Sequence, residues 1–197
     1  MTRLLLSLIM VLAASVSPAE AHTGIGGTAG FAHGFGHPFS GLDHILAMVA
    51  AGLYAAHLGG RSIYLVPLAF MAMMAVGGAL GIVGIGVPYV ETGIALSVIV
   101  LGAALAVPFR LSTAAAMCLV GFFALFHGHA HGAEMPVDAA GLEYGLGFVL
   151  ATGILHVIGI GIGLGTGLVA ERYSGRIAQV RGAGMAIAGI VLLAGML

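Results

Sequence analysis

The sequence predicts an all-α fold: a polytopic membrane helix bundle, with six transmembrane helices after a cleaved signal peptide. Three observations carry this expectation. Of the 197 residues, 60% are hydrophobic and 7% charged, with a mean hydropathy of +1.16; a soluble domain is about a quarter charged. So few charges cannot coat a water-facing surface, and the solvent for most of the chain is lipid. Apolar stretches of about 20 residues recur, the length needed to cross ~30 Å of hydrocarbon at 1.5 Å per residue. The 34 glycines suit a bundle whose backbones approach closely, since small residues are the usual contact between membrane helices.

Residues 1–21 read as the signal peptide. Arg3 is the basic start, Leu4 to Val16 is an apolar run too short to span comfortably, and Ala19-Glu20-Ala21 is a small-residue cleavage site. The alternative is an uncleaved first membrane helix. Cleavage after Ala21 would leave His22 as the N-terminus, and a free α-amine beside an imidazole can chelate a metal. Residues 22–197 would then form the transmembrane domain.

The predicted spans are 41–59, 63–85, 90–108, 112–131, 142–168 and 183–197. Between them lie Gly59-Gly60-Arg61, Val87-Pro88-Tyr89, Pro108-Phe109-Arg110, Met135-Pro136-Val137 and the polar stretch 171–181. Beyond Arg3, the basic residues are Arg61, Arg110, Arg172, Arg176 and Arg181, all in the first, third and fifth connections. The second and fourth connections carry no Lys or Arg and border Glu91, Glu134, Asp138 and Glu143. The positive-inside rule places both termini outside, and a cleaved signal peptide independently puts the mature N-terminus outside. The expected location is therefore the bacterial inner membrane, with periplasmic termini.

Two segments concentrate chemistry. Ionisable residues within membrane segments are costly and are functional by default. The first segment is His37-Pro-Phe-Ser-Gly-Leu-Asp43-His44. On one continuous helix His37 and His44 would lie ~10.5 Å apart along the axis, too far to share an ion held at ~2 Å. Ser40-x-x-Asp43 reads as a capping box that starts the helix near Gly41, and Pro38 with Gly41 permits a turn that folds His37 back. The second segment is Phe126-His127-Gly-His129-Ala-His131-Gly-Ala-Glu134. His127, His131 and Glu134 share one helix face, with His127 and His131 spaced to grip one ion. Gly128 and Gly132 form a small-x-x-x-small pattern for close helix contact.

A lone histidine in such a bundle is more often an interhelical hydrogen-bond partner, and a proton relay uses the same residue types. Three histidines in five residues, beside a carboxylate, favour a metal. Imidazole and carboxylate without thiolate suit Ni, Co, Zn or Fe rather than Cu(I). Met71, Met73 and Met74 read as packing rather than a thioether copper site. Cys118 stands alone, which excludes an intrachain disulfide framework and a thiolate-rich metal site. A net charge of −1 offers no footprint for nucleic acid. No Walker A pattern is present, so the chain itself has no nucleotide-hydrolysing loop.

His37-x5-Asp43-His44, together with the motif from Phe126 to Glu134, resembles the HupE/UreJ family of nickel/cobalt permeases. The resemblance covers nearly all of the mature chain. The segments Glu91-Thr-Gly-Ile-Ala-Leu-Ser97 and Leu155-His156-Val-Ile-Gly159 are similar to further family patterns. The resemblance implies uptake of Ni²⁺ or Co²⁺, with Zn²⁺ as another occupant, to supply hydrogenase or urease maturation. It implies no catalytic cofactor and no enzymatic activity. Its expected partners are the ion, membrane lipid, a periplasmic metal source and cytoplasmic nickel chaperones. The candidate metal-pathway residues are His22, His37, Asp43, His44, Glu91, His127, His131, Glu134 and His156; His129 falls at a variable position of the motif, and His33 and His57 match no family position. Two other classes stay open on the residues alone: an intramembrane zinc-dependent hydrolase with Glu134 as base, and a non-transporting metal sensor or accessory protein.

Overall fold

The structure, a computed structural model, describes residues 28–135, 141–169 and 174–196. The proposed signal peptide, its cleavage site and His22 lie outside the described residues. Those described form seven α-helices and one 3-10 turn, with no strand among them. The helices are α1 (Thr28–Gly36), α2 (Leu42–Leu58), α3 (Ser62–Ile82), α4 (Val90–Ala106), α5 (Thr113–Ala133), α6 (Gly141–Val169) and α7 (Ser174–Ala194), with the 3-10 turn at His37–Phe39.

Four of these, in α3, α5, α6 and α7, are long and apolar enough to cross a membrane; a fifth span is added if the α1–α2 pair is counted as one, broken by a 78° bend. α4 is apolar but has 17 residues. The exposed surface carries Leu68, Val76, Leu150, Val157 and Val191, large apolar side chains that are at home in hydrocarbon and not in water.

Most boundaries follow local chemistry. α2 ends at Gly59, whose φ of 73° is a left-handed turn that favours glycine. α4 ends at Val107, which is extended because it precedes Pro108. α5 starts where the Ser112 side chain accepts the Ala115 N–H, at 3.3 Å, a standard N-cap. Three expectations are corrected. The stretch 28–36, to which no element was assigned, is a helix. The last helix begins at Ser174 rather than 183, so Arg176 and Arg181 belong to its first turns. A helix need not be apolar throughout: the Arg181 guanidinium donates to Thr166 Oγ1 on α6, which gives the polar head of this helix residue a partner on its neighbour. The Ser40 capping box does not form. Gly41 is the N-cap of α2 without a side-chain cap, and Ser40 Oγ instead donates to His37 O at 2.6 Å. That bond holds the 3-10 turn closed.

α2 is central. Met48, Ala50, Ala51, Tyr54 and Ala55 are all fully buried, and the helix touches α3, α4, α6 and α7. Among the described helices α3 and α5 share the most extensive contact, where glycines replace side chains as the contact. A Cβ at Gly128 would collide with Met74 O, and one at Gly132 with Gly78 O; in return Gly77 and Gly81 face the backbone of Leu125 and His129. The expected Gly128/Gly132 contact is therefore present, and it brings α5 in close enough for its histidines to reach α2. The three methionines diverge. Met71 approaches Gly153, Met73 approaches Gly121, and Met74 Sδ receives the Thr152 hydroxyl at 3.7 Å. They pack and do not converge on one ion.

Candidate metal centre

The bend between α1 and α2 places the 3-10 turn over the mouth of the bundle. His37 Nε2–H donates to Glu134 Oε2 at 3.1 Å, linking residues 97 positions apart. The His131 ring lies between the two histidines of the first segment, 4.5 Å from the His37 ring and 4.0 Å from that of His44, centre to centre. Candidate ligand atoms of His37, His131 and Glu134 all lie within 4.8 Å of one another, close enough for one ion to draw them in by small side-chain rotations. They border a cavity of ≈ 170 Å³, which Asp43, His44 and Glu91 also line. Glu91 enters from the first turn of α4 and is exposed, as is Glu134, while His37 is half-buried and His131 is buried.

Two site expectations change in detail. His127 does not share the outermost group with His131. It lies one helical turn deeper, fully buried, with its ring 4.6 Å from that of His44. Four residues of helix separate the two imidazoles by ~6 Å of rise, so each meets a different neighbour. Asp43 turns toward His44: its Oδ1 accepts the His44 backbone N–H at 2.8 Å and the Nδ1–H at 2.9 Å. The carboxylate so oriented leaves His44 Nε2 bare, and that atom is buried with no partner among the described residues. A carboxylate behind an imidazole is the usual way to orient a metal-binding histidine.

His156 is almost fully buried in α6. Its Nδ1–H donates to Thr152 O at 2.9 Å, and its Nε2 is buried without a partner among the described residues. Phe70 separates it from His127, with ring centres 4.9 Å from His156 and 5.8 Å from His127. Both ring nitrogens of His131 are likewise unpartnered. Several bare buried nitrogens in one column is an expensive arrangement unless a ligand uses them.

His129 points away. Its Nε2–H donates to Ile85 O at 2.8 Å, tying α5 to the turn that follows α3. His33 is exposed. His57 lies at the far end, on a cavity of ≈ 530 Å³ shared with Arg110, Thr166 and Arg181. The arginines of the third connection and of α7 thus share one end of the bundle, while Glu91 and Glu134 share the other, as the sequence expected. Residue reading did not single out Phe70 or Tyr144; both are core aromatics, Phe70 packing against His127 and His156 and Tyr144 packing against His37 and donating to His131 O at 3.5 Å. Ser97 was read only as the end of a motif, and its contact with His127 emerges from the packing of α4 on α5.

A multi-pass membrane helix bundle with an imidazole–carboxylate cluster at one mouth and buried histidines beneath it defines the class. Residues 9–192 match the family model described as HupE / UreJ protein. The chain is also 48% identical over 185 residues to Protein HupE of Rhizobium leguminosarum bv. viciae, covering 93% of this chain and 95% of that protein. It belongs to the HupE/UreJ family, whose members are metal permeases and not enzymes. No solved structure matches it.

Proposed function

We propose that this chain is a nickel permease, with cobalt as a second cargo, that carries the ion inward across the bacterial inner membrane to supply hydrogenase or urease maturation. The observation that carries the reading is the convergence of His37, His131 and Glu134 from two chain segments at one mouth, with His44, His127 and His156 continuing inward. Family membership supports metal permeation, and the imidazole–carboxylate donor set supports a borderline divalent ion. Zn²⁺ is another occupant of such a set.

On this reading the ion sheds part of its water shell at His37, His131 and Glu134, drawn by the carboxylates of Glu91 and Glu134. It then passes to bare nitrogens on His44 and His127, and past Phe70 to His156. Each station offers few ligands, so the ion binds well enough to enter and weakly enough to leave. An inside-negative potential drives it by ~2.3 kcal/mol per charge per 100 mV, about twice that for a divalent ion. The reading includes six spans, α4 being the shortest and α1–α2 forming one broken span, and it places the arginine-bearing end in the cytoplasm. It also includes cleavage after Ala21, so that the His22 amine and imidazole add ligands at the outer mouth. A periplasmic metal source and cytoplasmic nickel chaperones would stand at the two ends.

Radioactive nickel uptake into sealed proteoliposomes under an imposed potential tests this. Saturable uptake is expected, with Co²⁺ competing, and strong loss in His37→Ala and His127→Ala. Metal binding without movement across the bilayer would mean a sensor or accessory protein and would end the permease reading.

A further inference from the structure

Around His127 the hydrogen atoms can be counted. Ser97 Oγ lies 2.6 Å from Ile94 O and 2.8 Å from His127 Nε2. A serine hydroxyl has one proton, and a carbonyl oxygen can only accept. The proton therefore goes to Ile94 O, and the contact with the ring requires Nε2–H to donate to Ser97 Oγ. A neutral imidazole has one N–H, so Nδ1 is bare. That atom is buried and has no partner among the described residues.

We propose that Ser97 is a positioning residue that locks His127 as its Nε2–H tautomer and so makes Nδ1 the nitrogen offered to the passing ion. The lock runs opposite to those on the neighbouring histidines. Asp43 takes the Nδ1–H of His44 and Thr152 O takes that of His156, so both present Nε2. Which ring nitrogen meets a metal is set by the hydrogen bond that the other makes. At the midpoint of the column, that bond comes from α4. The competing view is that Ser97 merely satisfies itself through Ile94 O, as serines in helices often do. That view leaves the oxygen's remaining lone pairs without a task, although they sit 2.8 Å from a fully buried imidazole.

The functional half of this proposal rests on the permease reading; the tautomer half stands on its own. The test is nitrogen NMR of metal-free protein with ¹⁵N-labelled histidine in lipid nanodiscs, the His127 signals being assigned by their loss in His127→Gln. Wild type should show Nε2 protonated and Nδ1 bare. Ser97→Ala should release the ring into a mixture of tautomers and weaken nickel binding about 10- to 100-fold, the usual cost of losing an outer partner. Ser97→Thr, which keeps the hydroxyl, should hold the wild-type tautomer. A proton on Nδ1 in wild type, or an unchanged tautomer in Ser97→Ala, overturns the proposal. The wild-type spectrum decides even if Ser97→Ala fails to fold. If the tautomer behaves as stated but no nickel crosses the bilayer, the lock stands and the permease reading fails. Nickel transport with Nδ1 protonated gives the converse.

Discussion

Asp43 separates two ways of building the upper site. Sequence reading makes it a candidate ligand, whereas its Oδ1 is turned onto the His44 backbone N–H and Nδ1–H, at 2.8 and 2.9 Å. If its work is to hold His44, what matters is an acceptor oxygen at that position. Asp43→Asn keeps such an oxygen and loses only the charge assistance, roughly half the strength of the bond. Asp43→Ala removes the bond entirely. A hydrogen bond to a charged group contributes about 1.5–3 kcal/mol, which at 1.4 kcal/mol per tenfold corresponds to about 10- to 100-fold in affinity. The expected order is thus wild type, then Asp43→Asn with about a 10-fold weaker apparent affinity, then Asp43→Ala with about a 100-fold loss. The assay is the concentration dependence of nickel uptake in proteoliposomes, on protein first shown to be monodisperse. If Asp43→Asn is as inactive as Asp43→Ala, the negative charge itself is needed at the ion, and the positioning role is refuted.

Three further expectations follow from the same geometry. Gly128→Leu should part α3 from α5 and lower stability by about 1–3 kcal/mol, read as a fall in Tm in detergent. Gly145→Ala, which meets nothing within 4 Å, should leave Tm equal or raise it, since alanine is the better helix former. His129→Ala should cost about 1 kcal/mol for the lost bond to Ile85 O and leave uptake kinetics unchanged; a transport defect in folded protein would place His129 on the pathway after all.

The helices were legible because lipid imposes a simple rule on composition: a chain with 7% charged residues must bury its backbone polar groups in helices. The glycine breaks, Pro108 and the Gly128/Gly132 contact could be read for the same reason, since each is a local steric requirement. α1 and the start of α7 were missed because neither is marked by an apolar run. α1 is short, Gly-rich and held by α6, and the first turns of α7 carry arginines that hydropathy assigns to a loop.

At the site, sequence alone determined which residue types gather and at which end, because charge and imidazole are too costly in a membrane to be incidental. It could not decide how they divide. That His131 rather than His127 joins His37 and Glu134, that Asp43 serves His44, and that Ser97 reaches His127 are matters of a few ångströms and of which ring nitrogen faces which neighbour. Such distances depend on how closely the glycines let α3 approach α5 and on how sharply the chain bends at Gly41; spacing along the chain points to both features but fixes neither distance. A hydrogen bond between residues 30 positions apart exists only once two helices have packed.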